Sequence, residues 1–197
     1  VYVHPYDDPM TIAGQGTIGV ELVEQMPSDT AAVLVPVGGG GLIAGIATWL
    51  RAVRPEVAVI GVEPAGAASM HAALAAGEPM TLAKVDAFVD GTAVGRTGDV
   101  PFEAARRFVD RVLVVPEGAV CTEMLELYQS DGVIAEPAGA LASTAACVYL
   151  SDPSDRKAIV GRSDGAIVCV VSGGNNDLTR YAEVMERSLR HEGLRHY

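Results

Sequence analysis

The stretch "VLVPVGGGGLIAGIATWL", residues 33 to 50, constrains this chain more than any other. An apolar, β-branched run meets four consecutive glycines, and the glycines meet a stretch with the character of a helix. Each glycine costs backbone entropy on folding, so four together imply that something approaches that backbone closely. Strands apolar on both faces belong in a parallel sheet covered by helices on each side. Such runs occur at 31–37, 57–64, 111–117 and 165–174. Helix-like segments lie at 16–26, 41–53, 67–76, 101–108, 118–131 and 137–150. This alternation predicts a three-layer α/β/α domain with a mostly parallel sheet. Residues 151–164, "SDPSDRKAIVGRSD", read as a polar surface connection. The charged tail 179–197 reads as a helical connector, with Gly193 as its stop.

With 197 residues, 49% of them hydrophobic, the chain can bury one sizeable core. Its mean hydropathy is +0.27, yet Gly, Pro or a charge interrupts each apolar run before membrane-spanning length. No secretory leader pattern opens the sequence, and the start at Val-Tyr-Val-His suggests a fragment. A net charge of −11 without a basic block argues against nucleic acid as a partner. Cys121, Cys147 and Cys169 are odd in number and set among apolar residues. They read as buried, reduced thiols of a cytoplasmic protein rather than a disulfide framework or a zinc site.

A helix N-terminus offers unpaired N–H groups and a positive dipole, and bare glycine lets an anion reach them. Gly38, Gly39, Gly40 and Gly41, with Leu42 opening the helix, therefore form a candidate phosphate cradle. The run lacks the Gly-Lys-Ser/Thr of a P-loop and the spaced glycines of a dinucleotide fingerprint. A plain tight turn is the alternative. A second candidate is "VCVVSGGNND", 168–177, where a buried strand ends at Ser172. Ligands bind at the carboxyl ends of strands in open α/β sheets; a serine there can contact a ligand or cap the turn.

Six segments together resemble the fold-type II pyridoxal-phosphate enzymes, and within them the group of threonine dehydratase, serine dehydratase and serine racemase. They are "PYDDPMTIAGQGTIGVELVEQ" (5–25), "VPVGGGGLIAGIA" (35–47), "VIGVEP" (59–64), "FVDGTAVGRTG" (88–98), "DGVIAEPAGALA" (131–142) and "SGGNND" (172–177). The resemblance implies pyridoxal 5'-phosphate as cofactor, its phosphate held by Gly38 to Gly41 with the Leu42 amide, and its pyridine nitrogen met by Ser172. It implies conversion of threonine, a small-molecule amino acid, to 2-oxobutanoate and ammonia in isoleucine biosynthesis. A cytoplasmic homo-oligomer goes with this. Residues 1–178 would be the C-terminal part of the catalytic region, and 179–197 a connector towards a regulatory domain.

The family also needs a lysine that forms the Schiff base. Lys84 and Lys157 lack the family's surroundings for it, so that residue is expected upstream of Val1, no catalytic residue is assigned here, and this chain alone is expected to be inactive. Gly91 would place backbone near the cofactor's reactive face, or simply make a turn. Glu136, before a proline, reads more as a helix-opening charge than as a site residue. "IAGQGT" reads as a strand-to-helix turn lining the pocket, with Gln15 and Thr17 structural. Glu63 has no second carboxylate after it, so no divalent-metal site is expected. His4, His71, His191 and His196 read as ordinary polar or surface residues, and Asp7 and Asp8 as turn formers.

Three rivals remain open at this point. Serine dehydratase or serine racemase differ by substrate choice, where one methyl group is worth only about 1–3 kcal/mol. A nucleotide-binding domain would use Glu63, at the end of the second strand, for a ribose. A non-catalytic ligand-binding or assembly module would explain the missing lysine.

Overall fold

The computed structural model describes residues 2–162 and 164–195. Helix α1 (Pro9–Gln25) leads into β1 (Ala32–Pro36), α2 (Gly41–Val53), β2 (Ala58–Pro64), α3 (Ser69–Ala76) and α4 (Asp99–Phe108). Then follow β3 (Arg111–Val115), α5 (Glu117–Asp131), α6 (Leu141–Tyr149), α7 (Pro153–Val160), β4 (Ile167–Cys169) and α8 (Tyr181–His191). The four strands are all parallel, in the order β3-β2-β1-β4.

The pleat divides the strands between two cores. Val33, Val35 and Val37 join Val59 in one, with Ile43, Ile46 and Leu50 of α2, Met70 of α3 and Phe102 of α4. Ala32 and Leu34 join Ile60 and Val62 in the other, with Val120 and Met124 of α5, Leu141 of α6 and Val184 of α8. Helices therefore cover both faces, as apolar strands of a parallel sheet require. The three-layer expectation is met.

Several boundaries differ from the sequence reading. Helix α1 begins at Pro9, seven residues before the expected start, so "IAGQGT" is helical and not a turn. The Asp8 side chain accepts the Met10 and Thr11 amides and Pro9 holds the first position, a strong start signal. Inside the helix, Gly16 lies where α2 crosses: a Cβ on Gly45 would sit 2.5 Å from the Gly16 nitrogen and the Ile12 oxygen. Those glycines mark close helix packing. Residues 153–160, read as connection, form α7, again with an aspartate cap at Asp152 and a proline at the first position. Strand β4 is only three residues long, and α6 starts at Leu141, so Glu136 opens a turn that precedes the helix. Of the thiols, all free, Cys121 is buried but Cys169 is partly so and Cys147 is exposed, against the expectation of three buried cysteines. Cys147 stands beside Glu123 on an outer helix surface, which alternating apolar neighbours do not reveal. Gly193 does follow the last helix at φ 69°. His196 lies outside the described residues.

Candidate cofactor site

Parallel pairing sets Leu34 of β1 opposite Cys169 of β4. Gly38 lies four residues beyond Leu34 and Ser172 three beyond Cys169, so both leave the sheet at the same level of its carboxyl edge. The two segments, more than a hundred residues apart in sequence, line one cavity of about 350 Å³, within the common range for ligand pockets. Gly38, Gly39, Gly40, Gly41, Leu42 and Ser172 all line it. So do Gln15, Gly91 and Glu136; Thr17 does not.

The glycine turn is closely packed by its neighbours. Gly40 caps α2 at φ 93°, a conformation that L side chains rarely adopt. The helical ladder begins with the Ala44 amide on the Gly40 carbonyl at 3.0 Å, leaving the amides of Gly41, Leu42 and Ile43 without intrahelical carbonyls. Behind the turn, the Gly39 carbonyl accepts from the Gly98 amide at 3.1 Å and the Thr97 hydroxyl at 3.3 Å. A Cβ at Gly38 would meet the Thr92 Cα at 2.9 Å, and one at Gly39 would fall inside the Tyr6 ring. Close packing by protein therefore accounts for Gly38 and Gly39, while the turn's amides remain the feature suited to an anion.

Sequence reasoning undervalued two wall residues. Tyr6 packs on Gly39 and Gly41, its ring edge-on to His4 at 4.6 Å between centroids. Glu136 stands against Gly91 and Gly173, its amide donating to the Gly173 carbonyl at 3.1 Å, which ties its segment to the one that carries Ser172. The "AEP" context pointed to a helix start; only the fold shows that this turn closes over the pocket. Tyr6 and Glu136 are the ionisable side chains among the lining residues, so no lysine or arginine takes part in the wall. Lys84 lies in a separate depression with Gly66 and Asp86, and Lys157 in α7.

Glu63 closes off one rival. Its side chain is fully buried, and its two carboxylate oxygens accept the Met70 and His71 amides, each at 2.8 Å. Burial pushes this carboxyl up to about 7, against amide hydrogen bonds from Met70, His71 and Ser69 that pull it down. It caps α3 from within the core and cannot reach a ribose. Among the described residues, no group of three His, Cys, Asp or Glu side chains converges as a metal site would. Nor is any described helix long and apolar enough to cross a membrane.

Residues 1–175 match the protein family described as pyridoxal-phosphate dependent enzyme. The chain is 55% identical to a Mycobacterium leprae protein named L-threonine dehydratase biosynthetic IlvA, over 99% of this chain and 44% of that protein. It spans, in other words, under half the length of such relatives. Among solved structures, the processed form of threonine deaminase isoform 2 from Solanum lycopersicum matches with a TM-score of 0.85 at 37% identity, over 95% of this chain and 52% of that one. Maize serine racemase matches with a TM-score of 0.83 at 35% identity, over 98% and 57%. With its parallel sheet, its glycine turn and a family match over nearly its whole length, the chain belongs to the pyridoxal-phosphate-dependent enzymes.

Proposed function

We propose that residues 1–178 are the C-terminal part of the catalytic region of a threonine dehydratase, which converts threonine to 2-oxobutanoate and ammonia, and that 179–197 connect to a regulatory domain. One observation carries this reading: the glycine turn and Ser172 meet around a single cavity. In it, the amides of Gly38 to Gly41 and Leu42 take the cofactor phosphate, helped by the dipole of α2. The Ser172 hydroxyl, which lines the same cavity, meets the pyridine nitrogen. Pyridoxal phosphate supplies, when bound, an electron sink for the pair left at the substrate α-carbon once its proton is removed. Because Ser172 is neutral, it does not hold the ring nitrogen protonated as a carboxylate would. A weaker sink suits rapid departure of the β-hydroxyl over competing transamination.

Neither Lys84 nor Lys157 lines the cavity, so the lysine that carries the cofactor and moves the α-proton belongs to another part of the longer enzyme. Gly91 and Glu136 face the remaining wall. The reading brings with it a cytoplasmic homo-oligomer acting on a small-molecule amino acid. Serine racemase is the second reading, favoured by the likeness to the maize enzyme; activity on serine against threonine in the full-length enzyme separates the two.

The test compares that full-length enzyme with this 197-residue chain. The former is expected to show a near-visible cofactor band that borohydride fixes to a lysine, and to release a 2-oxo acid from threonine. The latter is expected to release none. Cofactor-dependent turnover by the short chain would refute the assignment of the lysine elsewhere; no band in the full-length enzyme would refute the cofactor.

A further inference from the structure

The segment leaving β4 carries Ser172 to one side of the cavity and, eight residues later, Arg180 to the start of α8. The opposite partner is the irregular loop 85–94, whose tip, Gly91 and Thr92, lines the same cavity. Arg180 joins them. Its Nη2 donates to the Phe88 carbonyl at 2.5 Å, and its Nη1 lies 3.2 Å from the Asp90 carboxylate. Its guanidinium also stands over the Phe88 ring at 5.2 Å, and that of Arg187, about two turns further on, at 4.0 Å. Phe88 itself is buried in the core that α5, α6 and α8 share.

The loop needs such anchoring. Its base is tied to the chain after β2 by the Asp86 amide on the Gly66 carbonyl at 2.9 Å. Beyond Asp86 its own hydrogen bonds are short-range: Asp90 Oδ1 accepts the Gly91 amide at 3.0 Å, and the Thr92 amide reaches the Val89 carbonyl at 3.0 Å. These bonds shape the tip but do not place it. Placement of the tip comes from Phe88 and Asp90, held by Arg180 at the head of α8 and, for Phe88, by Arg187 within it. It comes also from Ala138 and Glu136 against Gly91, and from Thr92, packed on Gly38 of the glycine turn. A single arginine thus ties the Ser172 arm to the Gly91 tip, and through Thr92 to the turn proposed to hold the phosphate.

We infer that Arg180 and Arg187 are positioning residues of the cofactor pocket: by gripping Phe88 and Asp90 they fix the Gly91–Thr92 wall against the glycine turn and hold it in register with Ser172. This inference rests on the cofactor reading above for its functional consequence, and on the loop geometry alone for its structural one. An exposed ion pair by itself does little; the carbonyl bond and the two guanidinium groups on one buried ring are what distinguish this contact from surface decoration.

The test uses the full-length enzyme and pyridoxal 5'-phosphate as probe. In Arg180→Met, the dissociation constant of the cofactor is expected to rise about tenfold, as loss of one charge-assisted hydrogen bond implies, with a changed visible circular dichroism band. Arg180→Lys keeps the charge and recovers part of the affinity. Amide hydrogen exchange of the cofactor-free protein is the second readout: exchange at Gly91 to Val94 accelerates in Arg180→Met while β1 and β2 keep wild-type protection. Should Arg180→Met fail to fold, Arg187→Gln, which leaves the carbonyl bond intact, is expected to show the same local acceleration at smaller size. Wild-type affinity together with wild-type exchange at the tip overturns the inference, as does acceleration spread evenly over the sheet. If the wild-type enzyme takes up no pyridoxal phosphate, the cofactor reading fails, and the exchange pattern still judges the grip of α8 on the loop.

Discussion

Gly91 and Ala138 face each other across the cavity wall, and a methyl swap between them tests the packing directly. A Cβ on Gly91 would stand 2.8 Å from the Ala138 Cβ, against ordinary carbon contacts of about 3.5–4.0 Å. Ala138 is buried, and its segment is tied at Glu136 to the Gly173 carbonyl. It cannot simply withdraw. Overpacking of this kind costs about 1–3 kcal/mol. Gly91 does not have a positive φ, so an alanine there gains back about 0.4–1 kcal/mol through the unfolded chain. Gly91→Ala is therefore expected to destabilise by about 1–2 kcal/mol. Ala138→Gly loses one buried methyl and adds glycine entropy, together about 1.5 kcal/mol. In the double variant, one methyl again fills the gap from the other side, and the clash is gone. The cost is expected to fall short of the sum by about 1–3 kcal/mol. Urea denaturation of the four proteins, followed by circular dichroism, measures the coupling. Additivity within about 0.5 kcal/mol would show that Gly91 is glycine for some reason other than its approach to Ala138.

Two more outcomes follow from buried and capping carboxylates. Glu63, raised to about 7 in the fold from an ordinary 4.5, contributes stability that is fully present below the ordinary value and is lost as pH climbs through the raised one, about 3 kcal/mol in all. Glu63→Gln abolishes that dependence but sets an amide donor against a backbone N–H, at about 1–3 kcal/mol; in urea titrations it should be the weaker protein at pH 5 and draw level near pH 8, and a gap that stays constant with pH would contradict the burial argument. Asp8→Ala removes the acceptor for the Met10 and Thr11 amides and should lower the denaturation free energy by about 1 kcal/mol; an unchanged midpoint would mean that α1 does not depend on its cap.

How far the residues announced this fold depended on whether a local signal matched a tertiary cause. Helix α2 starts and stops where the sequence implied, because four glycines and then an apolar periodic run leave no other boundary. Strands β1 and β2 came within one residue for the same reason. Helix α1 was misjudged because Gly14 and Gly16 look like breakers, whereas Gly16 is small so that Gly45 of α2 can cross it. That cause sits on another helix and leaves no mark nearby. The caps at Asp8 and Asp152 were legible and underweighted: aspartate followed by proline is a helix start even when the helix, like α7, buries nothing. The apolar run from 165 promised a longer β4, but the edge strand pairs only through Cys169, and the Val170 amide makes one more bond, to the Leu34 carbonyl, before the chain turns towards Ser172. The glycine turn and Ser172 were readable as candidates, and they line one cavity. Tyr6 and Glu136 were not, since each becomes a wall only when distant segments fold over the same edge.

The sheet order explains why those segments meet where they do. β1 is followed in sequence by β2 on one side, yet is paired with β4 on the other. The helices that follow β1 and β4, α2 and α8, pack on opposite faces of the sheet, so the two connections diverge and open a crevice at the carboxyl ends. Ligands of open α/β sheets settle at such switch points. Here the crevice falls between the glycine turn after β1 and Ser172 after β4, and its wall holds no cationic side chain. An acidic chain with a net charge of −11 would repel a dianion at long range, but screening limits that effect to about 8–10 Å at ordinary salt. Inside the crevice, the proposed phosphate grip relies on neutral amides and a helix dipole, whose directions are fixed by backbone. A lysine in their place could follow the phosphate if the turn moved; amides cannot. The proposed grip thus depends on a rigid turn, and the turn is held by Tyr6 on Gly39, by Thr92 on Gly38 and by Thr97 and Gly98 on the Gly39 carbonyl.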